Sequence, residues 1–122
     1  MKGCIFACCL FSMSFLVHAG LTQAEYDQQL DAYTKVVNES KKVLDTGAQV
    51  DAATQKKAFC GRLDAYQNIL RLSKENPNLE NAYLMGVIAE RYLSRQKQSM
   101  NSAGMTEGFF CGSPQKTSTK TK

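Results

Sequence analysis

The sequence predicts an all-α fold: a three-helix up-down-up antiparallel bundle stapled by one disulfide, followed by a disordered basic C-terminal tail. Apolar residues recur at helical spacing in three segments, and no run of β-forming residues is long enough to argue for a sheet. Each segment holds about 25 residues, or roughly 37 Å of helix. Similar lengths and short connections favour helices that run antiparallel to their neighbours.

The first nineteen residues have the layout of a secretory signal peptide. Lys2 gives a basic start, residues 3–17 are almost all apolar or small, and Val17-His18-Ala19 provides a cleavage motif. We expect cleavage between Ala19 and Gly20. An uncleaved membrane anchor is the alternative, although the fifteen-residue apolar run falls short of the ~20 residues that span a bilayer.

This cleavage divides the chain into a signal peptide at 1–19, a helical domain at 20–112 and a tail at 113–122. The tail is rich in Ser, Thr and Lys and lacks apolar residues, which is typical of disorder. The mature protein is expected in the periplasm or outside the cell, and it meets the membrane only through the signal peptide. Cleavage also removes the only histidine and three of the five cysteines, namely His18, Cys4, Cys8 and Cys9.

The charge balance of the helical domain argues against a nucleic-acid partner. Residues 20–112 carry eleven basic and eleven acidic side chains, and three further lysines lie in the tail. A nucleic-acid-binding domain carries a basic face on its folded body. The basic pI therefore reflects the tail, and no nucleic-acid binding is expected.

Helix 1 is predicted to begin with a complete capping signature. Thr22 and Glu25 form a capping box, in which each side chain binds the other's backbone N–H. Leu21 and Tyr26 flank it at the positions of a hydrophobic staple. Gly47 is predicted to end the helix near Asp45, because glycine favours the left-handed conformation found after a helix C-terminus.

Helices 2 and 3 are separated by a proline. Helix 2 is predicted to begin after Asp51 as its N-cap and to run to about Glu75, where Asn76-Pro77 breaks the chain. Helix 3 is predicted over about 78–103. Residues 82–89 are apolar nearly all round, so this stretch is predicted to be the central and most buried helix segment.

The two mature cysteines are predicted to form a disulfide. Cys60 and Cys111 are an isolated pair in an oxidising compartment, and the predicted topology brings them together. A redox or zinc site is the alternative, but the spacing is not Cys-x-x-Cys and the mature chain has no histidine. Residues 105–112 are predicted to be a loop in which Phe109 and Phe110 cover the end of the bundle.

No catalytic, metal or cofactor site is predicted. Without a histidine, the mature chain has no Ser-His-Asp or Cys-His arrangement. Asp27 and Asp31 lie four residues apart on one helix face, where two carboxylates could bind a metal or act in acid–base catalysis. The same pattern is typical of a solvated helix N-terminus, which favours negative charge, and we prefer this interpretation. Tyrosines have two interpretations that the sequence leaves open, the rim of the core or a partner-binding face. The candidate face comprises Tyr26, Tyr33, Tyr66, Tyr92, Arg91 and Arg95.

Phe59-Cys60-Gly61, the apolar stretch 82–87 and the late Cys111 give the chain an architecture that resembles small periplasmic helical proteins held by one disulfide. These include toxin-immunity proteins and acid-stress chaperones. The resemblance implies a protein that acts by binding and not by catalysis, as an inhibitor or immunity protein, or alternatively as a stress chaperone. The sequence leaves the oligomeric state open: helix 1 could pair with a second copy in a homodimer through Tyr33 and Val36, but the same residues would serve a monomer core equally well.

Overall fold

The computed structural model describes residues 20–46 and 49–112, and this part of the chain contains helices and no strand. The helices are α1 (Gln23–Asp45), α2 (Ala52–Glu75), α3 (Ala82–Ser102) and the short α4 (Glu107–Cys111). The predicted all-α class with three main helices is confirmed. The predicted signal peptide, the predicted tail and Gly47 lie outside the described residues.

Local capping interactions fix where α1 and α2 begin. The Thr22 hydroxyl accepts a hydrogen bond from the Glu25 N–H at 3.2 Å, and the Glu25 carboxylate accepts one from the Thr22 N–H at 2.8 Å. At the start of α2, the Asp51 carboxylate accepts from the Thr54 N–H at 2.9 Å. Both predicted caps are confirmed, because each depends only on residues three positions apart.

Helix α3 begins at Ala82, later than the prediction near Asn78. Residues 78–81 form turns instead of a first helical turn. Asn81 adopts a left-handed backbone conformation with φ of 63°, which ends these turns directly before the helix. Asparagine tolerates this conformation better than most residues, so the later start has a local cause.

The central helix is α2, and the prediction that residues 82–89 are the most buried segment is wrong. Helices α1 and α3 each pack along α2 but share few contacts with one another. Because α3 packs mainly against one helix, only one of its stripes is covered. Its Tyr83, Leu84 and Ile88 side chains are 82%, 55% and 43% exposed. The buried residues of α2 are Leu63, Ala65, Ile69, Leu72 and Ser73.

Small residues allow α2 and α3 to approach closely. Ala82 and Ala89 of α3 are fully buried. A Cβ atom at Gly86, which lies between them, would be 3.3 Å from the Ser73 Cβ, tighter than ordinary van der Waals contact. This stripe of small side chains therefore defines the side of α3 that faces α2 and leaves the larger apolar residues on other sides.

Polar contacts join the start of α1 to the end of α2 and the connection that follows it. The hydroxyls of Tyr26 and Ser73 lie 3.2 Å apart in the core. The Leu21 N–H donates to the Asn76 side chain at 3.2 Å. The packing of Tyr26 with Leu72 and Ala82 adds an apolar cluster at the same end of the molecule.

At the opposite end, Cys60 and Cys111 lie at disulfide bond distance, as predicted. Their sulfur atoms are 2.03 Å apart and their Cα atoms 5.7 Å apart. The pair attaches the end of α4 to the early turns of α2. Residues 107–111 are helical and not a loop as predicted, because the Thr106 hydroxyl caps the turn by accepting from the Phe109 N–H at 3.2 Å.

The two phenylalanines of α4 have different environments. The Phe110 ring packs edge-on against Phe59 with centroids 5.7 Å apart, and the Lys56 ammonium lies 5.4 Å from the Phe110 centroid. Phe109 is 82% exposed. The prediction that Phe109 covers the bundle end is therefore wrong, since adjacent residues of one helical turn point in different directions.

Candidate protein-binding surface on α3

One stripe of α3 combines exposed apolar and basic side chains. Leu84, Ile88, Arg91 and Arg95 follow one another at intervals of four, three and four residues, which places them along one side of the helix. Together with their neighbours they line an open cavity of about 380 Å³. We call the lining residues the α3 surface: Tyr66, Leu84, Val87, Ile88, Arg91, Tyr92 and Arg95.

The first half of the α3 surface is apolar. Leu84 and Ile88 are 55% and 43% exposed, and Val87 beside them is half-buried. Keeping apolar area in water is unfavourable by about 25 cal/mol per Å². Covering these side chains would release that free energy, which is why contiguous exposed apolar residues mark interaction sites.

The centre of the α3 surface is a pair of stacked tyrosines. The rings of Tyr66, from α2, and Tyr92, from α3, have centroids 4.0 Å apart and planes inclined by 25°. The Arg62 guanidinium lies 4.9 Å from the Tyr92 centroid and 5.9 Å from that of Tyr66. The contact fixes the orientation of both rings, because stacking and the cation restrict them together.

Tyr92 keeps its proton at neutral pH. Burial raises the pKa of the Tyr92 phenol, the positive charge of Arg62 opposes the shift, and Tyr66 adds to it. A phenol with a pKa above its ordinary value near 10 is neutral under physiological conditions. The protonated Tyr92 hydroxyl can therefore both donate and accept a hydrogen bond.

The second half of the α3 surface is cationic and has no internal counter-charge. Within residues 20–46 and 49–112, ion pairs form at Lys35–Glu39, Arg71–Glu75 and Lys74–Glu90. None of these involves Arg91 or Arg95, and both of these side chains are exposed. The Nε atom of Arg62 is buried and has no hydrogen-bond partner.

The predicted site residues fall into two groups. Tyr66, Tyr92, Arg91 and Arg95 line the same cavity, so the structure brings these four together. Tyr26 was predicted on the same face, and this prediction is wrong because its side chain is fully buried between the helices. The other predicted tyrosine, Tyr33, packs against both core clusters and does not line this cavity.

Sequence reasoning missed the apolar half of this surface and Arg62. The apolar stretch 82–89 predicts core positions for Leu84 and Ile88, since an all-round apolar helix is usually buried. Their spacing, continued by Arg91 and Arg95, places all four residues on one stripe of the helix, but it does not show which stripe α2 covers. Arg62 lies four residues before Tyr66 on α2, a spacing that brings a guanidinium onto the same helix side.

Metal-ligand clusters and membrane-spanning helices are both absent from the described residues. Within them, no group of three or more His, Cys, Asp or Glu residues is placed to hold a metal ion. None of the described helices has both the length and the apolar character to cross a membrane. The exposed Asp27 carboxylate accepts a hydrogen bond from the Gln23 side chain at 2.8 Å.

Known proteins offer no counterpart from which a role for the α3 surface could be transferred. No family model matches this sequence, and no curated protein and no solved structure is significantly similar to it.

Proposed function

We propose that this chain is a small exported helical protein that acts by binding another protein, most concretely as an inhibitor or a toxin-immunity protein. The observation that carries this proposal is the α3 surface, where exposed aliphatic residues, two tyrosines and two arginines meet in one cavity. Tyrosine and arginine are enriched among the residues that dominate binding energy at protein interfaces. The role is binding and not catalysis.

The helices of this protein run up-down-up in the architecture that we propose. In support, the start of α1 contacts the connection after α2, where the Glu80 N–H donates to the Gln23 side chain at 2.8 Å. The end of the chain contacts α2 near its start through Cys60 and Cys111. Contacts of this kind are those expected when each helix reverses the direction of the one before it.

The proposed location is the periplasm or the extracellular space. Residues 1–19 have the composition of a signal peptide. The sulfur atoms of Cys60 and Cys111 are at bonding distance, and disulfides persist mainly in oxidising compartments. A binding partner is therefore sought in the cell envelope or among secreted proteins.

The experiment compares partner capture by surface variants of the purified protein in envelope extract from its native source. We expect the wild type to retain one partner in stoichiometric amount. Leu84→Asp/Ile88→Asp should lose it, because two carboxylates replace exposed apolar contacts. Val36→Asp is the matched control, since Val36 on α1 is 40% exposed and lies off the α3 surface.

Three results contradict the proposal. One is the absence of any stoichiometric partner in the native extract. Another is retention of the partner by the Leu84→Asp/Ile88→Asp variant at the wild-type level, with circular dichroism showing that both variants are folded. Loss in both the surface variant and the Val36→Asp control would equally count against the α3 surface as the binding site.

The alternative function is a periplasmic stress chaperone, which the acid sensitivity of two helix caps favours. Hydrogen bonds from Thr22 lower the pKa of Glu25, and those from Thr54 lower the pKa of Asp51. Acid would protonate both caps and weaken the starts of α1 and α2. A chaperone of this kind should expose apolar surface near pH ~2–3, whereas cooperative unfolding retained at that pH would contradict it.

A further inference from the structure

We infer that the α3 surface receives an acidic amphipathic helix of the partner protein, with apolar side chains over Leu84 and Ile88 and carboxylates over Arg91 and Arg95. This inference rests on the proposed function and specifies the chemistry of the partner. It is carried by three properties of the surface: its uncompensated charge, its division into two halves and its length.

The charge of the surface is unpaired. Arg91 and Arg95 are four residues apart, and like charges at this spacing repel one another along a helix. Neither arginine forms an ion pair with any of the described residues. The neighbouring Glu90 of α3 is paired with Lys74 of α2 at 3.8 Å. Carboxylates of a partner would relieve this repulsion and could bind each guanidinium with two hydrogen bonds.

Arg62 adds positive charge close to the tyrosine pair. Its guanidinium lies 4.9 Å from the Tyr92 centroid, while its Nε is buried without a hydrogen-bond partner. No carboxylate among the described residues forms an ion pair with it. These three arginines therefore concentrate positive charge near Tyr66 and Tyr92, although the helical domain as a whole has equal numbers of basic and acidic side chains.

The length and order of the stripe fit a helix. From Leu84 to Arg95 the helix rises roughly 17 Å, about three turns. Its apolar residues come first and its arginines second, so a complementary helix would carry its apolar and acidic residues in matching blocks. Amphipathic helices commonly dock into grooves through anchors one helical turn apart.

A second copy of this chain does not fit the α3 surface. If two copies met with their α3 helices antiparallel, Arg95 would face Leu84 and Arg91 would face Ile88 of the other copy. This arrangement would remove the guanidinium groups from water without a counter-charge. If the helices were parallel, the arginines of both copies would face one another, which is repulsive.

An anionic membrane is also a poorer fit than an acidic helix. Membrane-binding basic clusters usually hold about four to eight arginines and lysines, whereas the stripe on α3 holds two. The rest of the helical domain carries nine basic and eleven acidic side chains, so its net negative charge adds no long-range attraction to an anionic bilayer. The cavity beside Tyr66 and Tyr92 is concave and suits a protruding side chain better than a flat bilayer.

The test uses two synthetic amphipathic helices with the same leucine stripe, one carrying glutamates and the other carrying lysines at the flanking positions. Each has about fourteen residues, enough to span the stripe at ~1.5 Å per residue. Binding to the purified protein is followed by nuclear magnetic resonance titration. The glutamate peptide should bind at least about tenfold more tightly than the lysine peptide. Its binding should shift the resonances of Leu84, Ile88 and Arg95.

Charge reversal supplies the decisive comparison. Arg91→Glu/Arg95→Glu should reverse the preference and bind the lysine peptide more tightly. Lys41→Glu/Lys57→Glu changes the net charge equally on exposed positions of α1 and α2 and should keep the wild-type preference. Vesicles of phosphatidylglycerol and phosphatidylcholine serve as the membrane probe, and binding to them should be weaker than binding to the glutamate peptide.

Several results would overturn the inference. They are equal or tighter binding of the lysine peptide, an unchanged preference after charge reversal, tighter binding to anionic vesicles, or no shift on α3 with either peptide. If the lysine peptide binds at Leu84 and Ile88 as well as the glutamate peptide does, the acidic partner is refuted while the binding surface stands. Failure of the proposed function itself is recognised separately, by partner capture that survives Leu84→Asp/Ile88→Asp.

Discussion

The stacked rings of Tyr66 and Tyr92, with centroids 4.0 Å apart, join the central helix α2 to the exposed side of α3. They therefore link the stability of the helix pair to the shape of the α3 surface. Arg62 from α2 extends the contact by lying over the Tyr92 ring at 4.9 Å. A change in either ring should affect both the folding of the domain and the geometry of the cavity.

The first prediction concerns the energy of this stacking. In a double-mutant cycle, Tyr66→Ala and Tyr92→Ala should show a coupling of about 0.5–1.5 kcal/mol, the range for aromatic pairs. Urea unfolding of the two single variants and the double variant measures it. Tyr83→Ala paired with Tyr66→Ala is the control, and its coupling should be near zero because Tyr83 is 82% exposed. Equal coupling in the two cycles would refute the interaction.

The second prediction concerns the buried hydroxyl of Tyr26. Tyr26→Phe removes the hydrogen bond to Ser73 and should lower the free energy of unfolding by about 0.5–1.5 kcal/mol. Tyr33→Phe is the matched control, because Tyr33 is a half-buried tyrosine of α1 whose side-chain hydroxyl has no hydrogen-bond partner among the described residues. Denaturant unfolding compares the two. A Tyr26→Phe variant as stable as Tyr33→Phe would contradict the assignment.

The third prediction concerns Cys60 and Cys111. A bond between them would close a loop, because the two cysteines are separated by 51 positions in the sequence. Cys60→Ser/Cys111→Ser should therefore destabilise the domain by up to about 4 kcal/mol, mainly by freeing the unfolded chain. Thermal unfolding should show the same loss when the wild type is reduced. Two free thiols in the natively purified protein, or an unchanged stability after reduction, would rule out the bridge.

The fourth prediction concerns acid. Glu25 and Asp51 have lowered pKa values because both carboxylates accept hydrogen bonds at helix starts. Their stabilising effect is fully present above the unfolded-state pKa values, near ~4, and is lost as the pH falls through the lower folded-state values. Stability should therefore decrease on acidification below about pH 5.

Unfolding of variants across the acidic range tests this origin. Glu25→Gln/Asp51→Asn should be less stable than wild type at neutral pH and should lose less stability on acidification. Asp31→Asn, an exposed position within α1, is the control and should follow the wild-type curve. Identical pH dependence in the wild type and the Glu25→Gln/Asp51→Asn variant would show that other groups govern acid sensitivity.

The parts of the fold that the sequence predicted correctly are those decided by nearby residues. The caps at Thr22 and Asp51 depend on hydrogen bonds to residues three positions away. The helical class follows from periodicity within each segment. Burial of an apolar residue depends instead on how many other helices cover it, so the exposure of Leu84 and Ile88 could not be predicted from their own helix.

The burial of the tyrosines in the candidate site also depends on packing between helices, which the sequence of one helix does not show. Tyr26 and Tyr66 are the same residue type, but Tyr26 is fully buried whereas Tyr66 lines the cavity. The staple position of Tyr26 beside Leu21 was a local sign of burial, and the two residues do pack in one cluster. The stacking of Tyr66 on Tyr92 arises from the packing of two helices, for which the sequence offered no local sign.

The central claim is that the α3 surface contacts a partner protein, and site-specific photo-crosslinking in the native cell tests it most directly. A photoreactive amino acid is placed at position 88 on the α3 surface, or at position 36 on α1, where the exposed fraction is nearly the same. We expect one adduct of defined mass at position 88 and none at position 36. No adduct at position 88, the same adducts at both positions, or an adduct containing only a second copy of the chain would contradict the claim.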